Sequence, residues 1–167
     1  MVSSVPVYAF VVIYLLTTVV AIVLASYVLS RGKDDPTFRV YGILLGAIAL
    51  WSTADAVQLL AEGLPAKLFW MAVSYIGIVI VPVAFLIFAL YYSGRGHFIP
   101  LDFIALLALI PVLTMAQVIT TPGHRLFHTS NELISFGGKV VLVWEAGPGF
   151  WVHTIYSYLL LGIGVVL

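Results

Sequence analysis

The sequence of 167 residues contains no cysteine and few charged residues. Without cysteine, the chain can form neither a disulfide nor a cysteine metal site, and thiol redox chemistry is excluded. Charged residues make up 8% of the chain, whereas globular domains usually contain about 25%. The seven basic and seven acidic residues balance to a net charge of zero. The basic surface that nucleic-acid binding requires is therefore missing, and we predict no nucleic-acid partner.

Hydrophobic residues make up 63% of the chain and fall in long runs. A helix that crosses the hydrocarbon of a bilayer needs about 20 mostly apolar residues. Five stretches reach or approach that length: residues 6–30, 38–62, 66–93, 101–119 and 150–167. The sequence thus predicts an all-α membrane protein, a multi-span helical bundle in contact with the lipid bilayer. Pro82 and Pro111 interrupt the backbone donors of the third and fourth stretches and predict kinks there.

The ends of the chain and the short loops suggest how it lies in the membrane. Residues 1–5 contain no Lys or Arg, so the first stretch is predicted to be a retained span rather than a signal peptide. The fifth stretch reaches Leu167 without a polar flank, and we expect residues 1–167 to be the amino-terminal part of a longer protein, with the output domain absent. Basic residues favour cytoplasmic loops. Four of them (Arg31, Lys33, Arg39, Arg95) share one side against three on the other (Lys67, Arg125, Lys139), which predicts a multi-pass cell-membrane protein whose amino terminus lies outside.

The loop of residues 120–149 is then predicted to lie outside the cell, and it is long for a simple connection. Thr121 followed by Pro122 is typical of a helix start. The dipeptide Gly137-Gly138 separates two runs that favour strands, residues 133–136 and 139–144. We therefore expect a short helix and a small extracellular β-hairpin, with Trp144, Phe150 and Trp151 at the level of the lipid headgroups.

Three side chains in this loop have the spacing of a possible metal site. His124, His128 and Glu132 follow one another at intervals of four, which would align them on one face of a helix, and three ligands plus water suit zinc. Ser130-Asn131 resembles a helix end, which would separate Glu132 from the histidines. The favoured interpretation is therefore that His124 forms hydrogen bonds within the loop, that no metal binds and that the chain has no cofactor.

The second span carries the only charge that lies deep in an apolar stretch, Asp55. At 100° per residue, four polar or aromatic residues fall within an arc of about 60°: Trp51, Asp55, Gln58 and Glu62. A carboxylate inside a span costs about 2.5–3.5 kcal/mol to insert, so it faces a partner or a cavity and marks a candidate functional site. The alternative is that Asp55 only joins neighbouring helices by hydrogen bonds.

Under this topology the intramembrane polar groups gather in the outer half of the bundle. Besides the stripe on the second span, they comprise Lys67, Ser74, Thr114, Gln117, His153 and Ser157. The inner halves, such as residues 84–90 and 104–109, contain almost none. A channel or a proton path would need polar groups through the full thickness, so this distribution favours a pocket that opens outward. The candidate ligand-binding residues are Trp51, Asp55, Gln58, Gln117 and His153, and no catalytic residue is indicated.

Several segments resemble the amino-terminal seven-transmembrane sensor region of many archaeal and bacterial histidine kinases. The segments are GPGFWVHTIYSYLLL at residues 147–161, YYSGR at 91–95, TTPGHRLF at 120–127, and Trp51. The most specific part is the start of the fifth span, with Phe150, Trp151, His153, Tyr156 and Tyr158. In the loop, Thr121 replaces the Asn that is usual in this family, whereas His124 keeps its place.

The resemblance implies an outside amino terminus and seven helices, of which five are visible here. It also implies a cytoplasmic PAS and histidine-kinase portion or another output domain, two-component phosphorelay signalling, and homodimerisation through the kinase portion. We expect a membrane-embedded sensory input module that detects an extracellular, lipid-soluble or bilayer signal through an unknown small-molecule or lipid ligand. One alternative is part of a secondary transporter or permease with Asp55 as its intramembrane site. A retinal protein is another, although no Lys is expected to be buried in these spans.

Overall fold

The computed structural model describes residues 7–32, 34–96, 99–136 and 139–167. Within them lie five helices, each long and apolar enough to cross a membrane. In chain order the elements are α1 (Val7–Arg31), α2 (Pro36–Leu60), α3 (Leu64–Tyr92), α4 (Leu101–Thr120), β1 (His128–Phe136), β2 (Lys139–Ala146) and α5 (Pro148–Val166). The five predicted stretches are helices in the structure, and their ends differ from the predicted ones by at most two residues.

Local chemistry explains where α2 and α3 begin. Asp35 precedes α2, and its carboxylate accepts a hydrogen bond of 2.8 Å from the backbone N–H of Thr37, as a good N-cap does. Proline suits the first turn of a helix, and Pro36 and Pro65 occupy those positions in α2 and α3. Gly63 joins the two helices with a φ of 77°. Glycine adopts that conformation without steric cost, so the chain reverses direction within three residues.

The helices pack around α2 and α3. Helix α2 lies along both α1 and α3, and α3 also contacts α4 and α5. The hydroxyls of Thr18 and Thr53 lie 3.2 Å apart and join α1 to α2, while the Tyr156 hydroxyl donates a hydrogen bond of 2.5 Å to the carbonyl of Leu107 and joins α5 to α4. Most side chains of α1 are exposed, as expected for a helix that faces lipid.

Helices α3 and α4 run without a break past their prolines, and both prolines are buried. The discontinuous helices that mark many transporter sites are therefore absent from the described residues. The transporter alternative loses one of the features that favoured it.

The predicted hairpin is confirmed. β1 and β2 are antiparallel, and Phe136 pairs with Lys139 at the end next to the turn. The turn residues Gly137 and Gly138 lie outside the described residues. The short helix expected at Thr121 is a single 3-10 turn, Thr121–Gly123.

The hairpin defines one end of the bundle, which we call the hairpin face. Helices α2 and α4 end at this face, and α3 and α5 begin there. The opposite end carries the turn between α1 and α2 and the connection from α3 to α4. Most of the polar groups predicted to lie together belong to the helix halves next to the hairpin face, whereas Ser157 lies at the middle of α5 and Glu62 follows the end of α2.

Candidate functional site

Asp55 lies where α1, α2 and α3 meet. Its carboxyl group is beside the hydroxyl of Ser74 on α3 and the indole of Trp51 one turn away on α2. The phenols of Tyr14 on α1 and Tyr75 on α3 lie within electrostatic range. The carboxyl group is thus surrounded by polar groups from three helices, an arrangement compatible with helix packing as well as with a site.

Gly77 permits the close approach of α2 and α3 near Asp55. A Cβ at this position would collide with the backbone of α2, at the carbonyl oxygen of Ala47 and at the amide nitrogen and Cβ of Trp51. The short distance between these two backbones brings Ser74 into range of Asp55. The geometry of the carboxyl group therefore depends on a residue that carries no functional group.

Lys67 is buried, which corrects the expectation that no lysine is buried in the spans. Its side chain is 1% exposed, and its ammonium group donates a hydrogen bond of 2.9 Å to the backbone carbonyl of Gln58. Lys139 of β2 lies within electrostatic range and sits 5.9 Å from the ring centroid of Tyr8. Lys67 lies in the first turn of α3, as the predicted third span places it, and its hydrogen bond joins that helix to the end of α2.

Gln117 and His153 lie on α4 and α5, whereas Asp55 lies on α2. The Gln117 side chain reaches the backbone of Gly149 at the start of α5, where a Cβ would collide with its Oε1. His153 is buried, and its Nε2 lies 3.3 Å from the hydroxyl of Ser157. Among the described residues no hydrogen bond joins Gln117 or His153 to Asp55. The action of the five candidate residues on one ligand stays a prediction.

The motif Gly147-Pro148-Gly149 attaches the loop to α5. The amide of Gly147 donates a hydrogen bond of 2.8 Å to the carbonyl of Phe127, and that of Gly149 donates one of 2.8 Å to the carbonyl of Leu126. A Cβ at Gly147 would collide with the backbone of Leu126. The two glycines therefore allow the chain before β1 to lie directly against the start of α5.

The hairpin is held to the bundle by aromatic packing. Phe127 is 0% exposed and belongs to a core with Tyr75 of α3 and Val118 of α4. The ring of His128 lies 4.4 Å, centroid to centroid, from that of Trp144 on β2. These contacts keep the hairpin over the ends of α3, α4 and α5.

His128 is buried at the base of the hairpin, with a side chain that is 1% exposed. Burial lowers the pKa of this imidazole from 6.5 to about 4, because the charged form loses its solvation. Neither ring nitrogen has a hydrogen-bond partner among the described residues. The structure therefore holds a neutral imidazole with one free donor and one free acceptor.

The helical alignment of His124, His128 and Glu132 is wrong. His128 and Glu132 lie on a strand, and the register of β1 shifts between His128 and Asn131, so that His128 is buried and Glu132 exposed. His124 bonds within the loop: its Nε2 lies 2.7 Å from the Thr120 hydroxyl, and its Nδ1 accepts from the amide of Leu126 at 3.2 Å. In the part of the chain that the structure describes, no cluster of three His, Asp or Glu side chains could hold a metal.

Two adjoining cavities lie at the hairpin face. The first is an apolar groove of about 530 Å³ between the parts of α3 and α4 next to the hairpin face. The second is a cavity of about 330 Å³ between the 3-10 turn and β1, lined by polar residues that include His128 and Arg125. Thr121 and Asn131 line both cavities.

The sequence did not predict the groove or the burial of the Asn131 side-chain oxygen. The side-chain oxygen of Asn131 is buried and has no hydrogen-bond partner among the described residues. The methionines of the groove, Met71 and Met115, lie on separate helices and look like ordinary core residues in the sequence. In the sequence, Ser130-Asn131 is typical of a helix end, and nothing in the local pattern marks the Asn131 side chain as buried.

The fold defines a multi-span helical membrane protein with a polar, hairpin-covered end. The chain belongs to the family described as the N-terminal 7TM region of histidine kinase, whose pattern matches residues 13–167. This family membership confirms the resemblance seen in the sequence. No curated protein and no solved structure matches the chain.

Proposed function

We propose that this chain is the membrane-embedded input module of a sensor histidine kinase and that it receives its signal at the hairpin face. The observation that carries the proposal is the family match over residues 13–167. A region that precedes a kinase and consists of apolar helices contributes no catalytic group. Its function is to change helix packing in response to a stimulus.

The distribution of polar groups supports reception at the hairpin face. Asp55, Lys67 and His153 lie within about two turns of the helix ends that meet there. A buried or intramembrane polar group is expensive, so its retention favours a functional role. The opposite halves of the helices are almost wholly apolar, which opposes a continuous path for ions or protons.

A ligand acts on such a module only through a difference in its affinity for two packings. The contact between α2 and α3 is suited to this role, because Asp55 contacts Ser74 at the place where Gly77 brings the backbones together. Movement of α3 against α2 would change the surroundings of the carboxyl group and would carry the change to the far end of both helices.

The test uses the kinase that carries this region, in membranes, with autophosphorylation as the readout. Asp55→Asn keeps the shape of the side chain but removes its charge, and we expect it to change basal autophosphorylation several-fold. Glu62→Gln is the matched control, because Glu62 lies two residues beyond the end of α2 and is exposed. Unchanged activity in Asp55→Asn, or an equal change in both variants, would contradict a role for Asp55.

The same proposal includes an extracellular hairpin face, with the amino terminus outside, and an output portion that dimerises and takes part in two-component phosphorelay signalling. The slight excess of basic residues near the opposite end supports this orientation. Of these residues, Lys33 lies outside the described part of the chain.

A further inference from the structure

We propose that the chain binds a single-chain amphiphile with an uncharged head group that both donates and accepts hydrogen bonds. Its apolar tail lies in the groove between α3 and α4, and its head lies in the polar cavity between the 3-10 turn and β1. The proposal deepens the proposed function by naming a ligand class, and it rests on that function only for the consequence in signalling. Binding can be measured independently of any kinase output.

The groove has the size and lining of a tail site. Its volume is about 530 Å³, and its walls are apolar, with Met71 and Ala72 from α3 and Met115 from α4. Methionine side chains adapt their shape to a flexible partner. The lining of α3 extends from Pro65 to Ile76, about 16 Å at 1.5 Å per residue, which matches an extended dodecyl chain.

The polar cavity supplies a head-group site at one end of this groove. Thr121 and Asn131 line both cavities, so the head-group site lies directly beside the end of the groove. His128 lines the cavity, and its side chain is only 1% exposed. Its two ring nitrogens and the Oδ1 of Asn131 have no hydrogen-bond partner among the described residues.

These unpaired atoms determine the chemistry of the head group. A neutral imidazole offers one donor and one acceptor, and the Asn131 oxygen offers a second acceptor. A hydroxyl or an amide supplies both a donor and acceptors, and it relieves the cost of leaving buried polar atoms unpaired. A carboxylate has no donor and would leave the acceptors unpaired. Arg125 lines the same cavity but is exposed, so water solvates its charge without an anionic ligand.

The experiment uses the purified protein in phosphatidylcholine nanodiscs at pH 7, with ¹⁵N-labelled histidine side chains. The ligand probes are dodecanol, dodecane and dodecanoate. We expect dodecanol to shift the ring-nitrogen resonances of His128, which are assigned by their loss in His128→Phe, and to leave those of His124 in place. Dodecane and dodecanoate should shift neither. No shift with dodecanol, or the same shift with all three probes, overturns the proposal and indicates that bilayer lipid chains or water fill the site.

Variants in the groove test the tail. Ala72→Phe fills the groove and should abolish the dodecanol shift. Ala116→Phe makes the same change at an exposed position of α4 that does not line the groove and should retain it. Met115→Trp is a second filling variant for the case in which Ala72→Phe fails to fold. Equal dodecanol shifts in the filling variants and the control would overturn the tail assignment.

The head contact is tested by Asn131→Leu, which should weaken dodecanol binding about fivefold, the value expected for one lost hydrogen bond of about 1 kcal/mol. Unchanged affinity would overturn the assignment of Asn131.

Measurement of autophosphorylation with and without dodecanol separates the binding proposal from the proposed signalling function. If dodecanol binds but autophosphorylation does not change, the signalling role is refuted and the binding site stands. If dodecanol does not bind but Asp55→Asn changes autophosphorylation, the binding site is refuted and the proposed function stands.

Discussion

At the scale of single residues, most buried polar side chains at the hairpin face contact another polar group. Lys67 bonds to a backbone carbonyl, and Asp55 faces a hydroxyl and an indole. His128 differs, because it is buried without a hydrogen-bond partner in the described residues. Its protonation should therefore control how firmly the hairpin is held.

Acidification should loosen the hairpin through His128. The pKa of this residue is about 4 in the folded protein and 6.5 when it is solvated. The imidazole therefore binds a proton more tightly when the hairpin is detached from the bundle. The stability of the docked hairpin is complete above pH 6.5 and falls as the pH decreases to 4, by roughly 3 kcal/mol. Hydrogen exchange in β1 and β2, corrected for intrinsic rates, measures this. His128→Phe should remove the pH dependence, and an unaltered dependence in that variant would refute the assignment.

The close contact at Gly77 also makes a prediction for a single residue. Gly77→Ala places a methyl group against the backbone of α2, and overpacking of this kind costs about 1–3 kcal/mol. We expect a lower midpoint of thermal unfolding in detergent. Gly46→Ala is the matched control on α2, where a Cβ meets no atom within 4 Å. Equal stability of the two variants would show that the helices separate easily at this point.

At the scale of elements, the docking of the hairpin depends on the motif before α5. Gly147 and Gly149 bond to the carbonyls of Phe127 and Leu126, and this backbone pairing places β1 over the ends of the helices. The family resemblance is most specific in this segment, and the close backbone approach gives a physical reason for its glycines.

Gly147→Ala should detach the hairpin while the five helices remain folded. A Cβ there collides with the backbone of Leu126, which cannot move aside as a flexible side chain would. Limited proteolysis should cut residues 128–146 at least several-fold faster in this variant. Gly123→Ala serves as the control in the same loop, since a Cβ there meets no atom within 4 Å. Equal cleavage rates in both variants would mean that the aromatic packing of Phe127 suffices.

At the scale of the whole molecule, the absence of cysteine makes the topology directly measurable. Glu132 and Asp34 are exposed at opposite ends of the bundle. In intact cells a membrane-impermeant maleimide should label Glu132→Cys, because the proposed orientation places the hairpin outside. It should label Asp34→Cys only after permeabilisation. Labelling of Asp34→Cys in intact cells, with Glu132→Cys labelled only after permeabilisation, would show the opposite orientation and refute the proposed site of signal reception.

Much of the architecture could be predicted from local patterns. In lipid, backbone polar groups must be satisfied within a segment, so each apolar run of sufficient length forms a helix whatever lies beside it. The hairpin followed from strand-forming runs on either side of Gly137-Gly138 for the same local reason. The prediction for residues 124–132 failed, because spacing alone does not distinguish a helix from a strand with a register shift after His128.

The sequence by itself determined the membrane class, the positions of the spans, the hairpin and the kinase-family resemblance, since each depends on residues close together in the chain. Only the tertiary structure decided which polar groups meet. It buried Lys67, placed Asp55 beside Ser74, and put Asn131 on the walls of both the apolar groove and the polar cavity. These arrangements depend on how helices rotate and approach one another, and contacts between distant residues such as Gly77 and Trp51 control that approach.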